Sequence, residues 1–189
     1  MPESIRRIVT GHTADGRSNI TFEGDAPNVT DVAAWPGARI TELWVTSEMP
    51  VDNDGSADRG ARPLAGIPDP MGTIFRVVEI PPESDGGLSD VDAAFAQMNS
   101  KSSASTEPGR ARHASMHVTD TLDYLVIMSG EMHMLMDDGE VLLRQGDCIV
   151  QRGTLHGFAN RSGKPCVLAA VLLTAKRAPR DATPESHQP

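Results

Sequence analysis

Two histidines and one aspartate have the spacing of a reactive site held by β-strands. His117 and Asp123 are six residues apart near the start of the segment 116–160, and His156 lies near its end. Imidazoles and carboxylates bind divalent transition metals, and they also serve as the acids and bases of enzymes. The three residues are therefore our candidates for catalysis and for metal binding.

The residues around His117 alternate as a β-strand does, with successive side chains on opposite faces. The face that includes His117 is polar in its first half and apolar in its second half; its members are His117, Thr119, Thr121, Asp123, Leu125 and Ile127. Such a face is expected to line a pocket first and then to fill a core. We therefore predict substrate contacts from its two threonines and its two aliphatic residues.

Other polar residues near this face have weaker roles. Asn160 shares a face with His156, so we expect it to contact substrate and to orient that ring by a hydrogen bond. His113 is an alternative source of a third imidazole, although a place at the barrel mouth or in a loop is favoured. Tyr124 points away from Asp123 and is expected to pack in the core or at an interface.

Two motifs in this segment resemble those of the cupin superfamily. In the first motif, His117 stands at the first histidine, Thr119 at the second histidine, Asp123 at the glutamate and Gly130 at the closing glycine. In the second motif, the matching residues are Gly146, Gly153, His156 and Asn160. The resemblance covers residues 111–173. Ala111 replaces an opening glycine, Gln151 replaces a proline, and the interval from Gly146 to Gly153 is one residue short.

The resemblance implies a small single-domain cupin, in which three histidines and one glutamate usually hold a metal. Here His117, Asp123 and His156 would hold a divalent transition metal, namely Zn, Fe, Mn or Ni. The implied activity is metal-dependent lyase, decarboxylase, dehydratase or isomerase chemistry on a small oxygenated, partly apolar substrate. The alternatives are an Fe-dependent dioxygenase and a non-catalytic cupin that binds or senses a small ligand, since the metal motif is degenerate.

Composition excludes several partner classes. The chain has 189 residues, 39% of them hydrophobic and 23% charged, which is ordinary for one globular domain. A net charge of −9 argues against nucleic acids and anionic membranes as partners. Two cysteines are too few for a disulfide framework, and we expect Cys148 and Cys166 to be buried, reduced thiols in a cytoplasmic protein.

The pattern of strands and turns predicts an all-β antiparallel double-stranded β-helix, that is, a jelly-roll barrel, with one short helix. We expect N-terminal strands, a long loop and the short helix to pack on the barrel over residues 1–110. The barrel motifs occupy 111–174, and 175–189 form a loose tail. The predicted strands are Ile5–Val9, Ser18–Phe22, Arg39–Thr46, Thr73–Ile80 and Pro165–Leu173, and the predicted helix is Asp90–Met98, capped by Ser89. Exposed sheet edges favour a homodimer.

Overall fold

The computed structural model describes residues 4–98 and 112–176, and these residues form an antiparallel β-barrel with one short helix. The elements are β1 (Arg6–His12), β2 (Ser18–Asp25), β3 (Asn28–Asp31), β4 (Arg39–Thr46), β5 (Thr73–Ile80), α1 (Val91–Gln97), β6 (Thr121–Ser129), β7 (Glu131–Met136), β8 (Glu140–Arg144), β9 (Cys148–Gln151), β10 (His156–Ala159) and β11 (Cys166–Thr174). The predicted jelly-roll fold is confirmed.

Two sheets enclose the barrel interior. The large sheet has the order β3-β4-β5-β11-β6-β9, and the small sheet has the order β10-β7-β8. Because β11 pairs with β5 on one side and with β6 on the other, the N-terminal strands continue the sheet of the barrel motifs. A separate hairpin of β1 and β2 turns at Gly16, as the Asp15-Gly16 pair predicts.

Alternation along β6 separates the interior of the barrel from its outer surface. Leu125 and Ile127 are buried among the core residues, whereas Val126 and Met128 are exposed. The strand thus places its polar half, which ends at Asp123, at the edge of the apolar core. This is the change of character that the sequence pattern predicts.

Helix α1 covers one side of the barrel. It buries Ala94 and Phe95 in a cluster with Leu88 and Met98. The predicted cap is wrong by one residue: the carboxylate of Asp90 accepts from the Ala93 N–H, while the Ser89 hydroxyl donates to the Ala34 carbonyl. None of the helices in residues 4–98 and 112–176 is long and apolar enough to cross a membrane.

The outer face of the large sheet exposes Cys148, which was expected to be buried, and Tyr124, which was expected in the core or at an interface. Cys166 is buried, but Cys148 is exposed, because it lies on the outer face of β9, the edge strand of the large sheet. Tyr124 also lies on that outer face and is 47% exposed, so it is not a core residue. Strand β3 is an addition to the predicted strands. The segment 47–71 contains neither helix nor strand, as expected, and residues 99–111 and the tail 177–189 lie outside the described residues.

Candidate active site

A cavity of about 170 Å³ lies inside the barrel, between the large sheet and α1. We call it the barrel cavity; its polar lining residues are Arg76, Ser115, His117, Thr119, Asp123 and His156. The remaining lining is largely aliphatic and aromatic and includes Leu125. A cavity of roughly 150 Å³ accommodates benzene, so the barrel cavity suits a small and largely apolar molecule.

The two histidines meet at the barrel cavity. The backbone N–H of His117 donates to the backbone carbonyl of His156 over 2.8 Å, and the backbone N–H of His156 donates to the carbonyl of His117 over 3.0 Å. This isolated antiparallel bridge holds the ring centroids 4.4 Å apart. Phe95 lies 5.0 Å from the His117 ring and Phe158 lies 5.5 Å from the His156 ring, so aromatic side chains flank the pair.

Backbone carbonyls determine which ring nitrogens carry protons. Nδ1 of His117 lies 2.7 Å from the Ser115 carbonyl oxygen, and Nδ1 of His156 lies 2.9 Å from the Thr154 carbonyl oxygen. The amide nitrogen of Gln151 lies 2.9 Å from the same Nδ1, but its two N–H groups donate to the carbonyl and hydroxyl oxygens of Thr154. A ring nitrogen that donates to a carbonyl keeps its proton, so Nε2 of each ring is left as a lone-pair acceptor.

Burial keeps both imidazoles neutral. It lowers the pKa of His117, against the raising effect of the hydrogen bond to Ser115. It also lowers the pKa of His156 to about 3, with a second contribution from the neighbouring His117. At neutral pH the pair therefore offers acceptors to a ligand, not positive charge.

Asp123 is a buried carboxylate with an unused oxygen. The residue is 7% exposed, and its Oδ1 has no hydrogen-bond partner within residues 4–98 and 112–176. Burial raises the pKa of Asp123 to about 6, while a hydrogen bond from Thr121 and the charge of Arg76 act in the opposite direction. The hydroxyls of Thr119 and Thr121 are 2.7 Å apart, so the two threonines form a short chain toward the carboxylate.

Glu42 and Arg76 are polar residues near the site that sequence reasoning missed. Nη2 of Arg76 lies 3.1 Å from Oε2 of Glu42 and also donates to the carbonyl of Ala65. The two residues are 0% and 4% exposed. Desolvation raises the pKa of Glu42 and lowers the pKa of Arg76, although each charge favours the other. The signal in the sequence was a charged residue in the middle of each of the largely apolar strands β4 and β5, Glu42 and Arg76.

Three predicted contact residues lie behind the lining of the barrel cavity. Thr121 and Ile127 are buried below it, where Ile127 belongs to the core. The amide nitrogen of Asn160 donates to the carbonyls of Ile80 and Lys164, and its oxygen accepts from Ser162. The expected hydrogen bond from Asn160 to His156 is therefore wrong, because the turn after β10 and the end of β5 together use the whole amide group.

His113 stands apart from the imidazole pair. Its Nε2 lies 2.6 Å from a carboxylate oxygen of Glu83, and its Nδ1 lies 2.7 Å from the hydroxyl of Ser115. Ser115 in turn bonds the backbone of Phe158 on β10 and supports His117 through its carbonyl. His113 thus braces the segment before His117 and does not replace the missing third histidine.

Comparison with known proteins supports the cupin resemblance. A family model described as "Cupin domain" matches residues 104–172, the segment that carries the two motifs. The chain is 29% identical over 163 residues to Phomopsin biosynthesis cluster protein C' of Diaporthe leptostromiformis, covering 82% of this chain and 70% of that protein. It is 25% identical over 178 residues to the cupin-domain-containing oxidoreductase virC of Hypocrea virens, covering 90% and 76%.

The solved structures that the chain resembles are more distant. A putative ethanolamine utilization protein Q from Salmonella typhimurium superposes with a TM-score of 0.43 at 9% identity, covering 92% of this chain and 99% of that one. A sugar phosphate isomerase from a cupin superfamily of Silicibacter pomeroyi gives a TM-score of 0.39 at 17% identity, covering 78% and 64%.

The donor set of the candidate site is incomplete for a metal. Across the described residues, no group of three or more His, Cys, Asp or Glu side chains is placed to hold a metal ion. Thr119 occupies the place of the second motif histidine, and Asp123 is engaged by Thr121 and Arg76. His117, Asp123 and His156 therefore do not fit as one ligand shell.

The turn that precedes His156 requires a glycine at position 153. It has a φ of 65°, and a Cβ there would lie 3.1 Å from the Thr119 carbonyl oxygen and 3.3 Å from that of Thr121. Gly146 is a matched control, since it has a φ of 92° but a Cβ there meets no described atom within 4 Å. A left-handed backbone costs an alanine roughly 1–2 kcal/mol. We expect Gly153→Ala to lose more stability than Gly146→Ala in urea denaturation; equal losses would show that the contact with the threonine carbonyls is unimportant.

Proposed function

We propose that this protein is an enzyme that transfers a proton on a small, oxygenated and mostly apolar substrate in the barrel cavity. One observation carries the proposal. A single small cavity holds a buried carboxylate with an unpartnered oxygen, Asp123, beside two neutral imidazoles, His117 and His156. Buried titratable groups with shifted pKa values in an apolar pocket are characteristic of acid–base sites.

Each of the three groups has a distinct role in this proposal. Asp123 acts as the base, taking a proton from a substrate hydroxyl or from a carbon next to a carbonyl. His117 and His156 each offer one acceptor at Nε2, and a substrate hydroxyl that donates to either of them is oriented by it. Proton transfer of this kind is common to lyase, decarboxylase, dehydratase and isomerase reactions. The apolar walls, Leu125 among them, exclude water from the reacting atoms.

Oxidation is the second candidate function. Relatives named as cupin-domain-containing oxidoreductases support a cupin-type enzyme in general, and the Nε2 atoms of His117 and His156 are available as metal ligands. Zn, Fe, Mn or Ni held by these two nitrogens, without Asp123, would supply Lewis-acid chemistry, and Fe would also supply dioxygenase chemistry. Elemental analysis checks this. One ion per chain that is lost in His117→Ala and His156→Ala supports metal binding. Protein that contains no metal after expression and purification in media supplied with these metals counts against it.

Deuterium exchange tests the proton-transfer proposal with small ketones in place of the natural substrate. The full chain is incubated in heavy water with a panel of small aryl and alkyl ketones, and proton NMR follows exchange at the carbon next to each carbonyl. We expect at least one ketone to exchange faster than in buffer, with Asp138→Asn, in an exposed turn, as active as wild type. If no ketone exchanges faster than in buffer, proton transfer is rejected; tight binding without exchange would support the sensing alternative.

We also propose that two copies associate through the outer face of the large sheet. Paired residues across β9, β6, β11 and β5 form an apolar row there: Val150, Tyr124, Val171 and Phe75. Tyr124, Val150 and Phe75 are exposed to an extent unusual for such residues. Light scattering at micromolar concentration is expected to give a dimer, and Tyr124→Lys with Val150→Lys a monomer, whereas Val141→Lys on β8 leaves the dimer intact. A monomeric wild type would refute the proposal.

A further inference from the structure

The inner face of the large sheet carries a buried polar row that reaches the barrel cavity. Glu42 on β4 pairs with Arg76 on β5, and Arg76 pairs with Ala170 on β11. Ala170 pairs in turn with Leu125 on β6, two residues after Asp123 on the same face. The small side chain of Ala170 leaves space above β11. The guanidinium of Arg76 can extend over it, and its charge acts on Asp123.

Three polar atoms of the cavity residues have no partner. Within the described part of the chain, Asp123 Oδ1, Arg76 Nε and Trp35 Nε1 are buried without a hydrogen bond, and all three residues line the barrel cavity. Most buried polar groups in native proteins are paired, and each unpaired one costs about 1–3 kcal/mol. Two donors and one acceptor left open around one apolar cavity indicate that a bound molecule supplies the partners.

The charges around the cavity select against an anionic molecule. Glu42 and Asp123 provide two carboxylates; Arg76, which lines the cavity, already pairs with Glu42, and the charge of Arg62 also acts on Glu42. The imidazoles of His117 and His156 add no positive charge, because burial lowers their pKa values. A ligand carboxylate would therefore lie in an apolar space near Asp123 with no cation of its own to pair with, which is costly.

We propose that the substrate is an uncharged hydroxy-carbonyl compound read by Asp123, Arg76 and Trp35. A ligand hydroxyl donates to Asp123 Oδ1, and ligand oxygens accept from Arg76 Nε and Trp35 Nε1. Glu42 is a positioning residue that holds the guanidinium in place. This inference rests on the proposed function, because it names the substrate class of the same cavity.

Matched fluorinated probes test the hydroxyl contact by fluorine NMR titration of the full chain. We expect 4-fluorophenol to bind at least tenfold more tightly than 4-fluoroanisole, which lacks the donor, and than 4-fluorobenzoate, which carries a charge. Asp123→Leu removes the acceptor and is expected to abolish both preferences. Leu168→Met, another cavity residue, is the control that keeps them.

A second probe pair tests the two N–H donors independently. We expect 4'-fluoroacetophenone to bind more tightly than 1-ethyl-4-fluorobenzene, because only the ketone accepts a hydrogen bond. Trp35→Phe and the double variant Arg76→Met with Glu42→Leu are each expected to reduce that preference severalfold. The Trp35→Phe result stands even if the double variant does not fold.

Each outcome of these titrations decides the proposal. Benzoate binding as tightly as the phenol, a preference that survives Asp123→Leu, or no binding of any probe would overturn it. The readout is binding, so it separates the two claims. Probe preferences without deuterium exchange would leave recognition standing and reject catalysis, whereas exchange without preferences would keep the enzyme and reject this substrate class.

Discussion

Asp123→Asn is expected to lower the rate of proton transfer at least 100-fold and, at the same time, to make the protein more stable at pH 7. The rate falls because the amide cannot act as a base, and a positioned acid or base typically contributes roughly 10²–10⁴-fold. The stability rises because the amide needs no charge in the apolar barrel. Opposite changes in activity and stability at one residue are typical of a strained active site.

The stability effect has a defined dependence on pH. Burial raises the pKa of Asp123 to about 6 in the folded chain, above the ordinary 3.8. The folded state therefore binds this proton more tightly than the unfolded state does. The stability that the protonated carboxyl contributes is complete below the unfolded pKa of 3.8 and is lost as the pH rises from there through about 6. At about 1.4 kcal/mol per pKa unit, the ionised carboxylate costs up to roughly 3 kcal/mol at pH 7.

Urea denaturation of wild type and Asp123→Asn at pH 4 and pH 7 measures this cost. The buried imidazoles act in the other direction, since their lowered pKa values remove stability as pH falls. Both proteins contain them, so the difference between the two proteins isolates Asp123. The gain from Asn is expected to be larger at pH 7 than at pH 4, and the wild-type exchange rate is expected to rise through pH 6. An equal gain at both values would contradict a raised pKa.

Local patterns were sufficient to predict most strands. The β-branched runs Arg39–Thr46 and Thr73–Ile80 are β4 and β5 with the predicted bounds. The face of β6 that changes from polar to apolar also proved correct, since Leu125 and Ile127 are buried while Val126 is exposed. These features depend on alternation within one strand, which the order of residues alone expresses.

The neighbours of each site residue were harder to predict, because they depend on which strands pair. Asp123 was expected to face the two imidazoles as a ligand, yet it is engaged by Thr121 and by the charge of Arg76. That contact crosses β11, whose place between β5 and β6 involves residues far apart in the sequence. Asn160 likewise bonds Lys164 in its own turn and Ile80 on β5, and residue type alone does not predict the distant partner.

Arg76→Met alone is expected to destabilise the protein by about 3–5 kcal/mol, because it leaves the Glu42 carboxylate buried without its partner. Glu42→Leu alone is expected to cost a similar amount, since the guanidinium then keeps only its bond to Ala65 and the more distant charge of Asp123. The double variant removes both charges and is expected to lose much less than either single variant, because a buried ion pair replaced by apolar side chains often costs little.

A double-mutant cycle by urea denaturation measures this coupling, with Arg39→Met and Asp31→Leu as the matched control. That pair also joins neighbouring strands, but Asp31 is exposed, so its coupling is expected to be below about 1 kcal/mol. If the losses of stability in the two single variants add up to the loss in the double variant, Glu42 and Arg76 do not stabilise each other. A strong coupling would mean that β4 and β5 keep a costly charge pair where apolar residues would serve stability as well. The reason for keeping it then lies in the barrel cavity, where Arg76 provides the donors that an aliphatic side chain lacks.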